Sequence, residues 1–182
     1  MAQWLTSGVV ALWELFRPDL YLDSIYDIDW DKLRKRGIKA LILDLDNTLL
    51  AWRSAEVHRE LREWAGELEG GGFSACLVSN NFSGRVSRIA QELGIPHLSG
   101  AGKPRRGAFI RAMKLIGSKP EETAVMGDQV FTDVLGGNRL GLFTILVVPV
   151  SDHEFFATKM VRVVERWVLR RLAKRDPGGE PG

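Results

Sequence analysis

At 182 residues, with 45% apolar and 26% charged side chains, the chain suits one domain with a full core and has the composition of a soluble globular protein. Its net charge of +2 excludes any argument for nucleic-acid binding from charge, and its one cysteine, Cys76, excludes internal disulfides and a cysteine zinc cluster. Three scattered histidines (His58, His97, His153) match no metal spacing, no apolar stretch is long enough for a bilayer, and no signal-peptide pattern opens the chain, so a cytoplasmic, reducing location is expected.

In chain order, residues 1–17 are dense in apolar and aromatic side chains (Trp4, Leu5, Trp13, Phe16) and stop at Pro18, which predicts an apolar helix. Residues 18–28 read as extended, and Asp29 is placed to cap a short helix ending at Gly37. The unalternating run Ala40–Leu45 predicts a strand buried on both faces. Val57, Leu61, Trp64 and Leu68 step along one face of a helix. A strand at Phe73–Val78 precedes a helix with Val86, Ile89, Ala90 and Leu93, closed by Gly94. A short strand at Ile95–Leu98 leads to a helix with Phe109, Ala112, Met113 and Ile116, between Pro104 and Gly117. Strands at Thr123–Met126 and Phe143–Val148 enclose a shorter helix with Val130, Val134 and Leu135. This alternation predicts an α/β fold, a parallel sheet with helices on both faces, binding ligands beyond the carboxyl ends of its strands. The expected organisation is an N-terminal flank at 1–36, a core at 37–150, an amphipathic basic helix at 151–175 and a disordered tail at 176–182.

The predicted strand ends carry complementary polar groups. The first offers Asp44, Asp46 and Thr48; the second offers Ser79, Asn80 and Asn81 before a helix whose free N–H groups suit a phosphate. Gly102-Lys103-Pro104 sets a cation on a stiff turn, and Gly127-Asp128 is followed by Asp133. Alternation turns Asp44 and Asp46 to the same side, an arrangement that raises the cost of ionising both. A fold seldom needs that for stability, whereas a hard cation or a nucleophile with an acid partner does. Together these groups suit phosphoryl transfer: a carboxylate nucleophile, a second carboxylic acid for proton transfer, magnesium on the carboxylates, and a lysine and hydroxyl on the phosphate oxygens.

Asp44-Leu-Asp-Asn-Thr48, Ser79, Lys103 and Gly127-Asp128-Gln-Val-Phe-Thr-Asp133 resemble, in order, the four motifs of the haloacid dehalogenase (HAD) superfamily, over roughly residues 38–150. The resemblance implies a HAD-like Rossmannoid sheet and an aspartyl-phosphate mechanism with Mg2+. It makes Asp44 nucleophile and metal ligand, and Asp46 general acid/base and metal ligand through its backbone carbonyl. Ser79, Lys103 and the Asn80 N–H would bind phosphate, and Asp128 would complete the metal ligands. Thr48 would support the loop around Asp46, and Asp133 would support the metal's waters or Lys103. Aspartate at position 46 is the phosphatase form of the motif. Only 34 residues separate Asp44 from Ser79, and one helix uses most of them, so no cap domain fits. A capless member has an open site for bulky substrates or borrows a lid from a second subunit, which would make it a homo-oligomer.

Arg17-Pro-Asp-Leu-Tyr21, Ser24-Ile-Tyr-Asp-Ile28, Gly136-Gly-Asn-Arg-Leu-Gly141 and Ile145-Leu-Val-Val-Pro149 further resemble the YqeG-like subfamily of type IIIA phosphatases. That group is similar to the mitochondrial phosphatase acting on phosphatidylglycerophosphate, so a lipid-linked phosphate ester is the expected substrate. A soluble sugar phosphate or nucleotide is the alternative. A phospho-acceptor signalling domain combines similar groups, but its lysine comes last, whereas Lys103 precedes Asp128 here. Residues 155–182 hold seven basic side chains against three acidic ones, so they carry +4 while the rest carries −2. Beside an apolar stripe with Trp167, that basic face is either a solvated helix surface or a peripheral contact with anionic membrane.

Overall fold

The computed structural model describes residues 13–82 and 84–151, so the helix expected over residues 1–17 is described only from residue 13, and the basic helix and tail after 151 lie entirely outside the described residues. Six strands run in parallel: β1 (Leu20–Leu22), β2 (Ala40–Leu43), β3 (Ser74–Val78), β4 (His97–Leu98), β5 (Thr123–Gly127) and β6 (Phe143–Val147). Their order across the sheet is β1-β6-β5-β2-β3-β4. The chain moves outward from β2 through β3 to β4, then returns to the other side of β2 with β5. The crevice between β2 and β5 is therefore the switch point, where open α/β sheets bind ligands.

Helices α1 (Trp30–Lys35), α2 (Arg59–Gly70), α3 (Gly84–Glu92), α4 (Arg106–Ile116) and α5 (Leu135–Asn138) cover the sheet. Strand alternation decides which face each side chain joins. Leu41, Leu43, Ala75 and Leu77 pack with Leu61, Trp64 and Leu68 of α2 and Val86 and Ile89 of α3. Ile42, Cys76, Val78 and Val125 pack on the opposite face with Ala108, Phe109, Ala112 and Met113 of α4. That two-sided burial is why the strands read as unbroken apolar runs. Cys76 is a core residue, and burial pushes its thiol up to about 12, far from reactive. Local signals also place the helix ends: the Asp29 side chain accepts from Lys32 N–H at 2.9 Å, and Gly117, at φ 67°, closes α4.

Two elements differ from expectation. The extended segment after Pro18 supplies a sixth strand, with Leu20, Tyr21 and Leu22 paired to Ile145, Leu146 and Val147, so the sheet reaches into the expected flank. Three residues are too few for a periodic pattern to distinguish strand from loop. Asp19 makes the junction: Thr144 donates its N–H to Asp19 Oδ2 at 2.7 Å, and Asp19 returns its own N–H to Thr144 Oγ1 at 3.1 Å. Asn138 Nδ2 adds bonds to the carbonyls of Leu15 (3.0 Å) and Arg17 (2.8 Å). The expected helix after β5 is instead a π-helical turn at Val130–Val134 running into the short α5. A Cβ at Gly136 would stand 2.3 Å from the Phe109 ring, so this segment lies closer to the core than any other residue would permit.

Candidate active site

The loop leaving β2 is held by its own backbone. Leu45 is fully buried, and its carbonyl accepts from Leu49 and Leu50 N–H, each at 3.1 Å. Asn47 is left-handed (φ 63°), a region asparagine tolerates better than most side chains. Its side-chain oxygen accepts from Trp52 N–H at 3.1 Å and Ser151 Oγ at 2.9 Å, tying the loop to the chain just beyond β6. Asp44 N–H donates to the Met126 carbonyl at 2.9 Å, so Asp44 continues the ladder between β2 and β5. Asp44, Asp46 and Thr48 are all buried on this loop.

Lys103 is equally buried and reaches the same point from the turn before α4. Its Nζ donates to Asp44 Oδ1 at 2.5 Å and to Asp133 Oδ1 at 2.7 Å. Thr48 Oγ1 lies 3.1 Å from Asp44 Oδ2 and 3.4 Å from Asp128 Oδ1, so its hydroxyl touches these two carboxylates and not only the loop. Oxygens of Asp44, Asp128 and Asp133 all lie within 4.8 Å of one another. Asp133, expected in support, thus stands within the trio, where its Oδ2 also accepts from Thr132 Oγ1 at 3.1 Å. Gly127 makes this packing possible, since a Cβ there would stand 2.2 Å from the Asp133 carboxyl carbon.

Three buried carboxylates facing one lysine leave the cluster short of positive charge, which a divalent cation would supply, and an all-oxygen donor set suits magnesium. Burial pushes Asp44 up to about 6 against the pull of Lys103, and Asp133 pushes it further. Burial by itself would lower Lys103, but Asp133 and Asp44 outweigh it and hold the ammonium above the ordinary lysine range. Lys103 therefore stays charged at neutral pH.

Ser79 and Asn80 arrive from the end of β3. Ser79 is buried, and its Oγ accepts from Asn81 N–H at 3.1 Å. The Asn80 side chain clamps the lysine turn: Oδ1 accepts from Lys103 N–H at 2.7 Å, and Nδ2 donates to the Lys103 carbonyl at 3.2 Å. The sequence had suggested only a backbone contact for Asn80. The Asp46 carboxylate stands apart from the trio, with its Oδ1 accepting from Arg85 Nη2, while Arg85 Nη1 donates to the Ser54 carbonyl at 2.5 Å. Sequence reasoning missed Arg85. The available signal was a cation in the first turn of α3, where it opposes the helix dipole.

The chain is similar to known phosphatases. The "Mitochondrial PGP phosphatase" family profile matches residues 2–99, and the "HAD-hydrolase-like" profile matches residues 100–149. The probable phosphatase YqeG of Bacillus subtilis is 43% identical over 162 residues, covering 89% of this chain and 94% of that protein. The chloroplastic phosphatidylglycerophosphate phosphatase 1 of Chlamydomonas reinhardtii is 33% identical over 84% of this chain, which spans 61% of that longer protein. Among solved structures, the cobalt-bound deoxy-D-mannose-octulosonate 8-phosphate phosphatase of Haemophilus influenzae superposes with a TM-score of 0.51 at 20% identity. That match covers 76% of this chain and 90% of the other, and is a likeness of fold.

Proposed function

The chain belongs to the mitochondrial PGP phosphatase family of HAD phosphatases and is a phosphomonoesterase with no cap domain among its described residues, and from that premise we propose that it hydrolyses a lipid-linked phosphate monoester through an aspartyl-phosphate on Asp44. The observation that carries this reading is the buried trio Asp44, Asp128 and Asp133 facing Lys103 at the carboxyl ends of β2 and β5. Asp44 attacks phosphorus as the ester P–O bond breaks, and Asp46 gives its proton to the departing alcohol. Asp46 then takes a proton from water as that water attacks phosphorus, releasing Asp44 and inorganic phosphate. Ser79 Oγ, the Asn80 N–H and Lys103 Nζ hold the phosphoryl oxygens. Asp44, Asp128 and the Asp46 carbonyl would hold Mg2+, with Asp133 in support, and the ion supplies charge neutralisation at the phosphoryl oxygens.

Exposed apolar side chains near the strand-end loops are in keeping with a lipid substrate. Phe82, directly after the Ser79–Asn81 loop, is 85% exposed, and Val150, beyond β6, is 56% exposed. The test is turnover of phosphatidylglycerophosphate in micelles, sugar phosphates and nucleotides, with Mg2+ and with chelator. We expect Mg2+-dependent activity highest on the lipid, and none in Asp44→Asn. Full activity of that variant would overturn the nucleophile assignment, and a preference for nucleotides or sugar phosphates would overturn the substrate class.

A further inference from the structure

The hydrolysis scheme leaves Arg85 without a task. Its side chain is only 12% exposed and bonds both Asp46 and the Ser54 carbonyl. It lies in the first turn of α3, where a cation works against the helix dipole, so helix stability does not account for it. Arg88, one turn on, also reaches the β2–α2 loop and donates to the Ala55 carbonyl at 2.5 Å. Holding that loop therefore does not require an arginine in contact with Asp46. The contact sets Arg85 beside the group that meets the departing oxygen, whereas Lys103 and Ser79 serve the phosphoryl group.

We propose that Arg85 determines specificity on the leaving-group side by recognising a second phosphate, a phosphodiester, carried by the alcohol that departs. This inference rests on the phosphatase scheme above. A guanidinium presents a planar fork that two oxygens of a phosphodiester match, which a lysine ammonium cannot reproduce. When such a substrate enters, Arg85 trades one anionic partner, Asp46, for another. A lipid headgroup and a soluble diester share this chemistry.

The experiment compares wild type, Arg85→Gln and Arg85→Lys on three substrates with Mg2+. They are phosphatidylglycerophosphate in micelles, its deacylated soluble counterpart, and glycerol 3-phosphate, which lacks the diester. Arg85→Gln is expected to lower kcat/KM on both diester substrates by about tenfold to a hundredfold, mainly through KM, the range of a lost charge-assisted hydrogen bond. Glycerol 3-phosphate, for which the variant removes only the contact to Asp46, should lose at least about threefold less than either diester substrate, and Arg85→Lys should fall between wild type and Arg85→Gln. If Arg85→Gln fails to fold by thermal melt, the Arg85→Lys ratios decide in the same way. Equal loss on all three substrates overturns this inference alone, because Arg85 would then act only through Asp46 and the loop. A loss confined to the micellar lipid also overturns it, since the lipid surface would be the cause. Wild-type turnover of glycerol 3-phosphate with neither diester overturns this inference together with the substrate class proposed above.

Discussion

Asp44 and Lys103 meet in a place where neither would choose to be charged alone. Burial raises Asp44 from 3.8 to about 6, so the folded protein binds that proton more tightly than the unfolded chain. For this group, metal-free stability therefore rises as pH falls from about 6 toward 4, and changes little outside that window. A bound divalent cation works in the opposite direction, because it needs the ionised carboxylate. The expected outcome is a magnesium-induced rise in melting temperature that is full at pH 7.5 and shrinks as pH falls through about 6. Thermal melts with Mg2+ and with chelator across that range are the measurement. An equal increment at pH 5 and pH 7.5 would remove Asp44 from the metal site.

At the scale of elements, the short edge strand β1 depends on side-chain bonds more than on its three residues. Thr144 is fully buried, and its N–H is satisfied by the Asp19 carboxylate, not by a strand neighbour. Asp19→Ala would leave that N–H unpaired, a cost of about 1–3 kcal/mol. Urea unfolding should show the loss as a lower midpoint, while turnover should be largely kept, because Asp19 lies before β1 and the site lies beyond the opposite ends of the strands. An unchanged midpoint would mean that the junction contributes nothing to stability. The π-helical turn after β5 follows a similar logic: it places the Asp133 carboxylate against Gly127.

At the scale of the molecule, one sheet presents its site at an uncapped edge, and among the described residues no helix is long and apolar enough to cross a membrane. Residues 155–182 carry a local +4, and each basic residue near an anionic surface contributes about 1 kcal/mol. Co-sedimentation should therefore show salt-sensitive binding to anionic vesicles, weakened when Arg162, Arg166 and Arg170 are changed to Gln. Equal binding to neutral vesicles, or no loss in the triple variant, would remove the electrostatic attraction and leave the phosphatase assignment intact.

By itself the sequence determined the parallel α/β architecture, the absence of room for a cap, and which strand ends carry the carboxylates, hydroxyl and lysine. Those features are local: apolar runs, helical periodicity and short spacings such as Asp44 to Thr48. Only the tertiary structure decided that Arg85 pairs with Asp46 across 39 residues, that the Asn80 side chain clamps Lys103 across 23, and that Asp19 meets Thr144 across 125. It also drew Asp133 into the carboxylate trio and turned residues 20–22 into a strand. Such pairings depend on where parallel strands bring distant loops together, and neither periodicity nor spacing along the chain encodes that.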